Sequence, residues 1–269
     1  MNKYKAKKII TIVFSAVLFI CAGFGAAAGG GLYTAELFGG MIACKTNPDI
    51  SVAAPAAENA PYVIAIDPGH GGMDTGAQRL MDEVDICDKT AGYLYRMLEN
   101  DENFTPVLTR DADSFPSPKE RAAAANSRGA SLLISIHANS DSHSSSSGFE
   151  CYALPPGRQL HSRSLKLAGL ISSHMQQAGR KIRGEAEACG IKYAYYFGSD
   201  KKIVPSTDDK IRSRKTFGVL ENALCPAVLV EQCFITNSSD VAAWGSDEGC
   251  RKAARAYYRA IKEYFLANN

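Results

Sequence analysis

The chain has 269 residues, 46% hydrophobic and 22% charged, with a formal net charge of +2. That length suits one large folded domain or two small ones. The near balance of charge excludes a dedicated nucleic-acid binder, which would carry a strongly basic face or a recognisable reading motif, and neither is present.

The N-terminus differs in kind from the rest. Residues 1–8, MNKYKAKK, form a basic flank with four lysines, and residues 9–28 then continue for 20 residues without a charge. At about 1.5 Å rise per residue such a run reaches across the ~30 Å hydrocarbon core of a bilayer. The flank predicts a cytoplasmic N-terminus and an extracytoplasmic location for everything after the span. Ala26, Ala27 and Ala28 offer small residues to a signal peptidase, but the apolar run exceeds the roughly 7–15 residues of a signal-peptide core, which favours a retained transmembrane anchor over a cleaved signal. Ile20 is too large for lipoprotein-type cleavage before Cys21. Residues 29–61, rich in Gly, Ala and Pro and without sustained periodicity, read as a linker. The folded domain then occupies 62–269.

Seven cysteines follow Cys21, an odd number, and no pair has C-x-x-C spacing. Several sit in apolar runs, Cys233 among them, and read as buried thiols. Free thiols in an exported protein point to a bacterium living without oxygen.

Strands and helices alternate within the domain. YVIAID (62–67) is a short apolar strand. VDICDKTAGYLYRMLEN (84–100) spaces Ile86, Leu94, Met97 and Leu98 at helical intervals, and TPVLT (105–109) is a second strand. In SPKERAAAANSRG, Ser117 caps a helix, Pro118 suits its first position and Glu120 completes a capping box. SLLISIH (131–137) and GFECYAL (148–154) are strands, a long helix covers 158–178, PAVLVE (226–231) is a buried strand, and an amphipathic helix spans 247–267. Residues 180–216 hold ten Lys or Arg against five Asp or Glu. Only YAYYF (193–197) reads as a buried element there; the rest reads as a solvated insertion, or else as a basic excursion flanking the site. The alternation predicts a single α/β domain with a mostly parallel twisted sheet and helices on both faces.

In such sheets ligands collect at the carboxyl ends of the strands. His70 follows the first strand in IAIDPGHGG, His137 closes SLLISIH and Glu231 closes PAVLVE, so all three should face one crevice. Two histidines and a carboxylate are a common ligand set for catalytic zinc, with the fourth position kept for water. Glu83, at the start of the first helix, is the natural carboxylate, although a helix N-terminus favours an acidic residue on its own account. Glu231, after three apolar residues, would be costly to bury without a purpose; desolvation would raise its pKa and suit it to proton transfer. The chemistry that follows is amide hydrolysis by activated water, with Glu231 carrying the proton to the leaving amine. His143, His161 and His174 read as surface or structural. The serine run at 144–147 lacks a G-x-S-x-G elbow.

With these residues in place the chain resembles the zinc-dependent N-acetylmuramoyl-L-alanine amidases of bacterial cell walls, the amidase type 3 family. The matching blocks are IAIDPGHGGMDTGA, Glu83 in DEVDIC, VLTRDADSFPSPKERAAAANSRGASLLISIHANS and PAVLVEQCFITNSSD, in the family's order. The resemblance implies that His70, Glu83 and His137 bind one zinc ion, that Glu231 is the catalytic glutamate, and that the bond cut joins the lactyl group of N-acetylmuramic acid to L-alanine in peptidoglycan. It leaves room for a regulatory or activator protein as partner. Gln232-Cys233 departs from the small residue the family more often has after the glutamate, and the basic segment is longer than in compact members. Two rivals are a zinc peptidase acting on wall peptides, weakened by the lack of H-E-x-x-H, and a membrane-tethered wall-binding protein without catalysis, weakened because all four site residues are present.

Overall fold

A computed structural model describes residues 60–266. The basic flank, the apolar run and nearly all of the linker lie outside the described residues, and among the described residues no helix is long and apolar enough to cross a membrane.

The order is β1 (Tyr62–Pro68), α1 (Glu83–Glu99), β2 (Phe104–Leu108), α2 (Pro118–Ser127), β3 (Leu132–Asn139), β4 (Glu150–Ala153), α3 (His161–Gln177), β5 (Ile191–Phe197), β6 (Asp200–Pro205), α4 (Gly218–Asn222), β7 (Ala227–Phe234), a single turn α5 (Ser238–Asp240) continued by a π turn over Val241–Gly245, and α6 (Asp247–Leu266). One seven-stranded sheet has the order β2-β1-β3-β7-β4-β5-β6. The block β2-β1-β3-β7 is parallel throughout. Beyond it β4 runs antiparallel to β7, β5 is parallel to β4, and β6 is antiparallel to β5. The sheet is therefore mixed, which corrects the mostly parallel expectation. Two connections too short to hold a crossover helix account for this: the loop from β3 to β4 and the tight turn at Gly198 and Ser199 between β5 and β6.

Helices cover both faces. Along β1, Ile64 and Ile66 point into the larger core with Ile86, Leu94 and Leu98 of α1, Leu167 and Ile171 of α3, and Tyr257 and Ile261 of α6. Ala65 points the other way, into the smaller core with Ala125 of α2 and Val219 and Leu220 of α4. A strand buried on both sides has no polar face to alternate with, which is why these strands read as continuous apolar runs.

The capping box forms as its sequence predicts: the Ser117 side chain accepts from the Glu120 N–H at 3.4 Å and the Glu120 carboxylate accepts from the Ser117 N–H at 2.7 Å. The basic segment is corrected from a solvated insertion to structure, since it supplies β5 and β6. Tyr193, Ala194 and Tyr195 are buried in β5, while β6 presents Lys201 and Lys202 along the exposed edge. Charged residues on an edge strand discourage pairing with another chain. Cys87, Cys151, Cys225, Cys233 and Cys250 are buried free thiols. Cys189 departs from that reading: it is disulfide-bonded and half-buried on a turn.

Candidate metal centre

The bend after β1 has one steric requirement. A Cβ on Gly69 would come within 2.4 Å of the His137 ring, so only a residue without a side chain allows strand β1 to pass so close to that imidazole. Gly76, at φ +67°, is under the same constraint from the other side, where a Cβ would meet Glu83 and His70 at 2.8 Å. Between these glycines His70 itself takes φ 60°, a left-handed conformation that costs free energy for a residue with a Cβ.

Two buried arginines hold that conformation. Arg121, on α2, donates to the carbonyls of Pro68 (2.6 Å) and His70 (2.5 Å) and to the Asp67 carboxylate (3.1 Å). Arg110, just after β2, donates to the carbonyls of Pro68 (2.8 Å) and Gly69 (2.9 Å) and pairs with Asp88 of α1 (2.6 Å). Asp67 also accepts from the hydroxyls of Thr109 (2.5 Å) and Ser135 (2.6 Å). Three successive carbonyls that would otherwise point away from any donor are thereby satisfied, and β1, β2, β3, α1 and α2 are tied to one bend. Sequence reading passed over Arg110, Arg121 and Asp88, because a buried arginine announces itself only once the carbonyls it serves are placed.

The bend delivers His70 to Glu83, the first residue of α1. His70 Nε2 lies 3.0 Å from Glu83 Oε1, and His137 Nδ1 lies 3.0 Å from the same oxygen. One donor atom from each of the three residues falls within 4.8 Å of the others. Ligands about 2.0–2.1 Å from a tetrahedral ion stand roughly 3.3 Å apart, so the donor set is grouped closely enough to converge on one metal ion. Asp74 accepts from His70 Nδ1 at 2.8 Å and thereby orients the ring, its other oxygen being taken by the Gly76 N–H. Burial opposes ionisation of Glu83, but hydrogen bonds from His137 and His70 outweigh it and hold the carboxyl well below its usual range. Burial likewise opposes the His70 imidazolium, and contacts with Glu83 and then Asp74 reverse that and raise its pKa.

β3 carries His137 at a register break. His137 pairs with Glu231, yet Asn139 pairs with Phe234, so β7 gains a residue there. Bulges of this kind re-aim side chains beside functional sites. Both strands run on past the residues that were expected to end them, β3 to Asn139 and β7 to Phe234. Glu231 thus sits next to His137 and, across β7, opposite Glu150. Its Oε2 is buried without a hydrogen-bond partner. Burial is the main cause of its strongly raised pKa, reinforced by the negative charges of Glu83 and Glu150 and opposed by Lys201 and Lys192. Glu150 is buried, but it is occupied: Lys192 (2.5 Å), Arg183 (3.0 Å) and Asn139 (3.1 Å) all donate to it. It gave the same signal as Glu231, a carboxylate inside an apolar strand, and was missed.

The other histidines lie apart from this cluster. His143 is exposed beside Asp141, His161 meets the Leu154 carbonyl at 2.7 Å, and His174 pairs with Glu263 at 2.7 Å.

The family model described as N-acetylmuramoyl-L-alanine amidase matches residues 64–263. Among curated proteins, N-acetylmuramoyl-L-alanine amidase AmiA of Escherichia coli is 30% identical over 222 residues, covering 76% of each chain. Among solved structures, the catalytic domain of CwlV, an N-acetylmuramoyl-L-alanine amidase from Bacillus (Paenibacillus) polymyxa, superposes with a TM-score of 0.59 at 26% identity, over 76% of this chain and 97% of that one. The CwlD amidase of Clostridioides difficile, solved in complex with the GerS lipoprotein, shares the fold with a TM-score of 0.59 at 22% identity, over 77% of this chain and all of that one.

Proposed function

From the premise that the chain belongs to the N-acetylmuramoyl-L-alanine amidase family and is an amidase acting on peptidoglycan, we propose that it is a zinc-dependent hydrolase of the bond between N-acetylmuramic acid and L-alanine. His70, Glu83 and His137 would hold the ion. The observation that carries this reading is the convergence of those three donors beside a buried carboxylate oxygen that has no partner of its own. When bound, zinc supplies Lewis acidity, making water acidic near neutral pH and polarising a carbonyl. Glu231 does the proton work. Half-buried on the next strand, it takes the proton of the attacking water and delivers it to the departing amine of L-alanine, and desolvation brings its proton affinity toward that of the groups it serves. Asp74 keeps the His70 ring in place, and Arg110 and Arg121 keep the bend rigid while polymer enters and leaves.

The enzyme is further proposed to act outside the cytoplasmic membrane, tethered by residues 9–28, whose basic flank and uncharged length support that orientation. A regulatory protein partner belongs to the same reading, because a chain of the same fold is solved with a lipoprotein bound.

The test is digestion of purified peptidoglycan by the zinc-loaded chain, with Glu231→Ala alongside and mass spectrometry of the released material. Free stem peptides with an exposed L-alanine amine, absent from the variant, are expected. Shortened stems still attached to muramic acid would overturn the proposed bond specificity in favour of a peptidase.

A further inference from the structure

The chemistry above uses the carboxyl edge of the parallel strands, yet a cleft of about 800 Å³ opens elsewhere, between α1 and α6, with Tyr93, Arg96, Arg251, Arg255, Tyr258 and Arg259 among its lining. Along α1 the rise from Glu83 to Arg96 is about 20 Å, so the cleft is well separated from the metal ligands.

Four guanidinium groups gather there with little to neutralise them. Arg251, Arg255 and Arg259 are exposed and follow one another at i, i+4 and i+8 on α6, the spacing at which like charges destabilise a helix. Arg96 is also exposed and faces them from α1. Among the described residues only Arg251 of the four has an ion pair, a long one of 3.5 Å to an exposed Asp247. Asp101, just beyond α1, is taken by the Tyr258 hydroxyl (2.6 Å) and Lys262 (2.9 Å). The arginines are nonetheless positioned. The Tyr93 ring lies between two of them, with Arg96 Cζ 5.0 Å and Arg251 Cζ 4.8 Å from its centroid, so cation–π attraction holds both over one aromatic.

A row of guanidinium forks, three of the four without an ion pair, matches phosphate, whose oxygens accept paired N–H bonds. From Arg251 to Arg259 the helix rises about 12 Å, enough to meet successive phosphates of an extended chain. Three of the arginines follow one another along the axis of α6, a linear row that suits a linear strand better than the plane of a membrane. We propose that the α1–α6 cleft binds an anionic polymer with phosphodiester linkages through Arg96, Arg251, Arg255 and Arg259. The inference uses none of the amidase residues and stands apart from the proposed activity.

The full-length chain is titrated with poly(glycerol phosphate) at increasing salt and, separately, with vesicles of phosphatidylcholine with and without phosphatidylglycerol. Expected is polymer binding that weakens with salt and falls about tenfold or more in Arg255→Gln/Arg259→Gln. Circular dichroism, melting temperature and cleavage of a soluble muropeptide should match the parent chain. Lys119→Gln/Lys202→Gln, which removes the same charge from two other exposed sites, should bind as the parent does. No binding at low salt, or equal losses in the two double variants, overturns the proposal. A loss confined to phosphatidylglycerol vesicles also overturns it and reassigns the cleft to a lipid surface.

Discussion

Two residues carry the sharpest tests. Glu231 is half-buried with a fully buried, unpartnered oxygen and a raised pKa, and Glu231→Gln keeps its shape while removing its capacity to carry a proton. Turnover is expected to fall by about 10²–10⁴-fold with zinc content unchanged; full activity in the variant would remove Glu231 from the chemistry. A base must be ionised to act, and burial, the main cause of the raised pKa, acts to move the acid limb of the rate profile above the ordinary glutamate value of about 4.3. The same shift has a thermodynamic sign. Between the unfolded and folded pKa the native state holds a proton that the unfolded chain has released, so stability falls as pH rises through that window. In metal-free protein Glu231→Gln should therefore melt above the parent at pH 7 and level with it below pH ~4, each recovered 1 kcal/mol raising Tm by about 2–4 °C. Gly69→Ala is the complementary test, because its Cβ would strike the His137 ring at 2.4 Å. Zinc affinity, measured by chelator competition, is expected to drop on the order of 10–100-fold, whereas an unchanged affinity would mean that His137 is not held as a ligand. His70, His137 and Glu231 were candidates in the sequence because each breaks a local pattern: a histidine among glycines, or a charged or polar group at the end of an apolar run; Glu83, an ordinary acidic residue at a helix start, was a candidate only through their company. Arg110, Arg121 and Asp74 break no pattern, and their importance lies in where the backbone of another segment happens to pass.

At the scale of elements, α2 shows how much local chemistry can predict. Its capping box forms as its residues prescribe, and Ser117→Ala should cost about 1 kcal/mol, lowering Tm by about 2–4 °C; thermal unfolding of the metal-free chain checks it. The same helix also serves the bend through Arg121, a link that no helical pattern reveals. Arg121→Lys keeps the charge but loses the fork, so zinc binding is expected to weaken while the helix stays intact, as chelator competition and circular dichroism would show. β5 and β6 were the elements least legible in advance. Only the aromatic run of β5 signalled burial, and β6 is an edge strand whose exposed lysines mimic the composition of a loop. Its strand character comes from pairing with β5, which no property of residues 200–205 alone encodes.

For the molecule as a whole, the proposed metal and the fold are linked. A ligand set drawn from the end of β1, the start of α1 and strand β3 exists only in the folded chain, so zinc should stabilise it by mass action, by about 2.7 kcal/mol at a free concentration one hundred times Kd. Removing the metal with a chelator is expected to abolish hydrolysis and lower Tm together, and restoring zinc to recover both; activity that survives complete removal would overturn zinc dependence. Sequence by itself determined the alternation of elements, the two-faced core and the three polar residues at the strand ends, since periodicity, apolar runs and charged interruptions are local properties of the chain. Tertiary structure decided that the sheet is mixed, that the basic segment closes it as a hairpin, that two buried arginines shape the metal bend and that four arginines from α1 and α6 share one cleft. Each of these depends on which distant segments become neighbours, and adjacency in space is fixed by packing the whole core rather than by any stretch of residues within it.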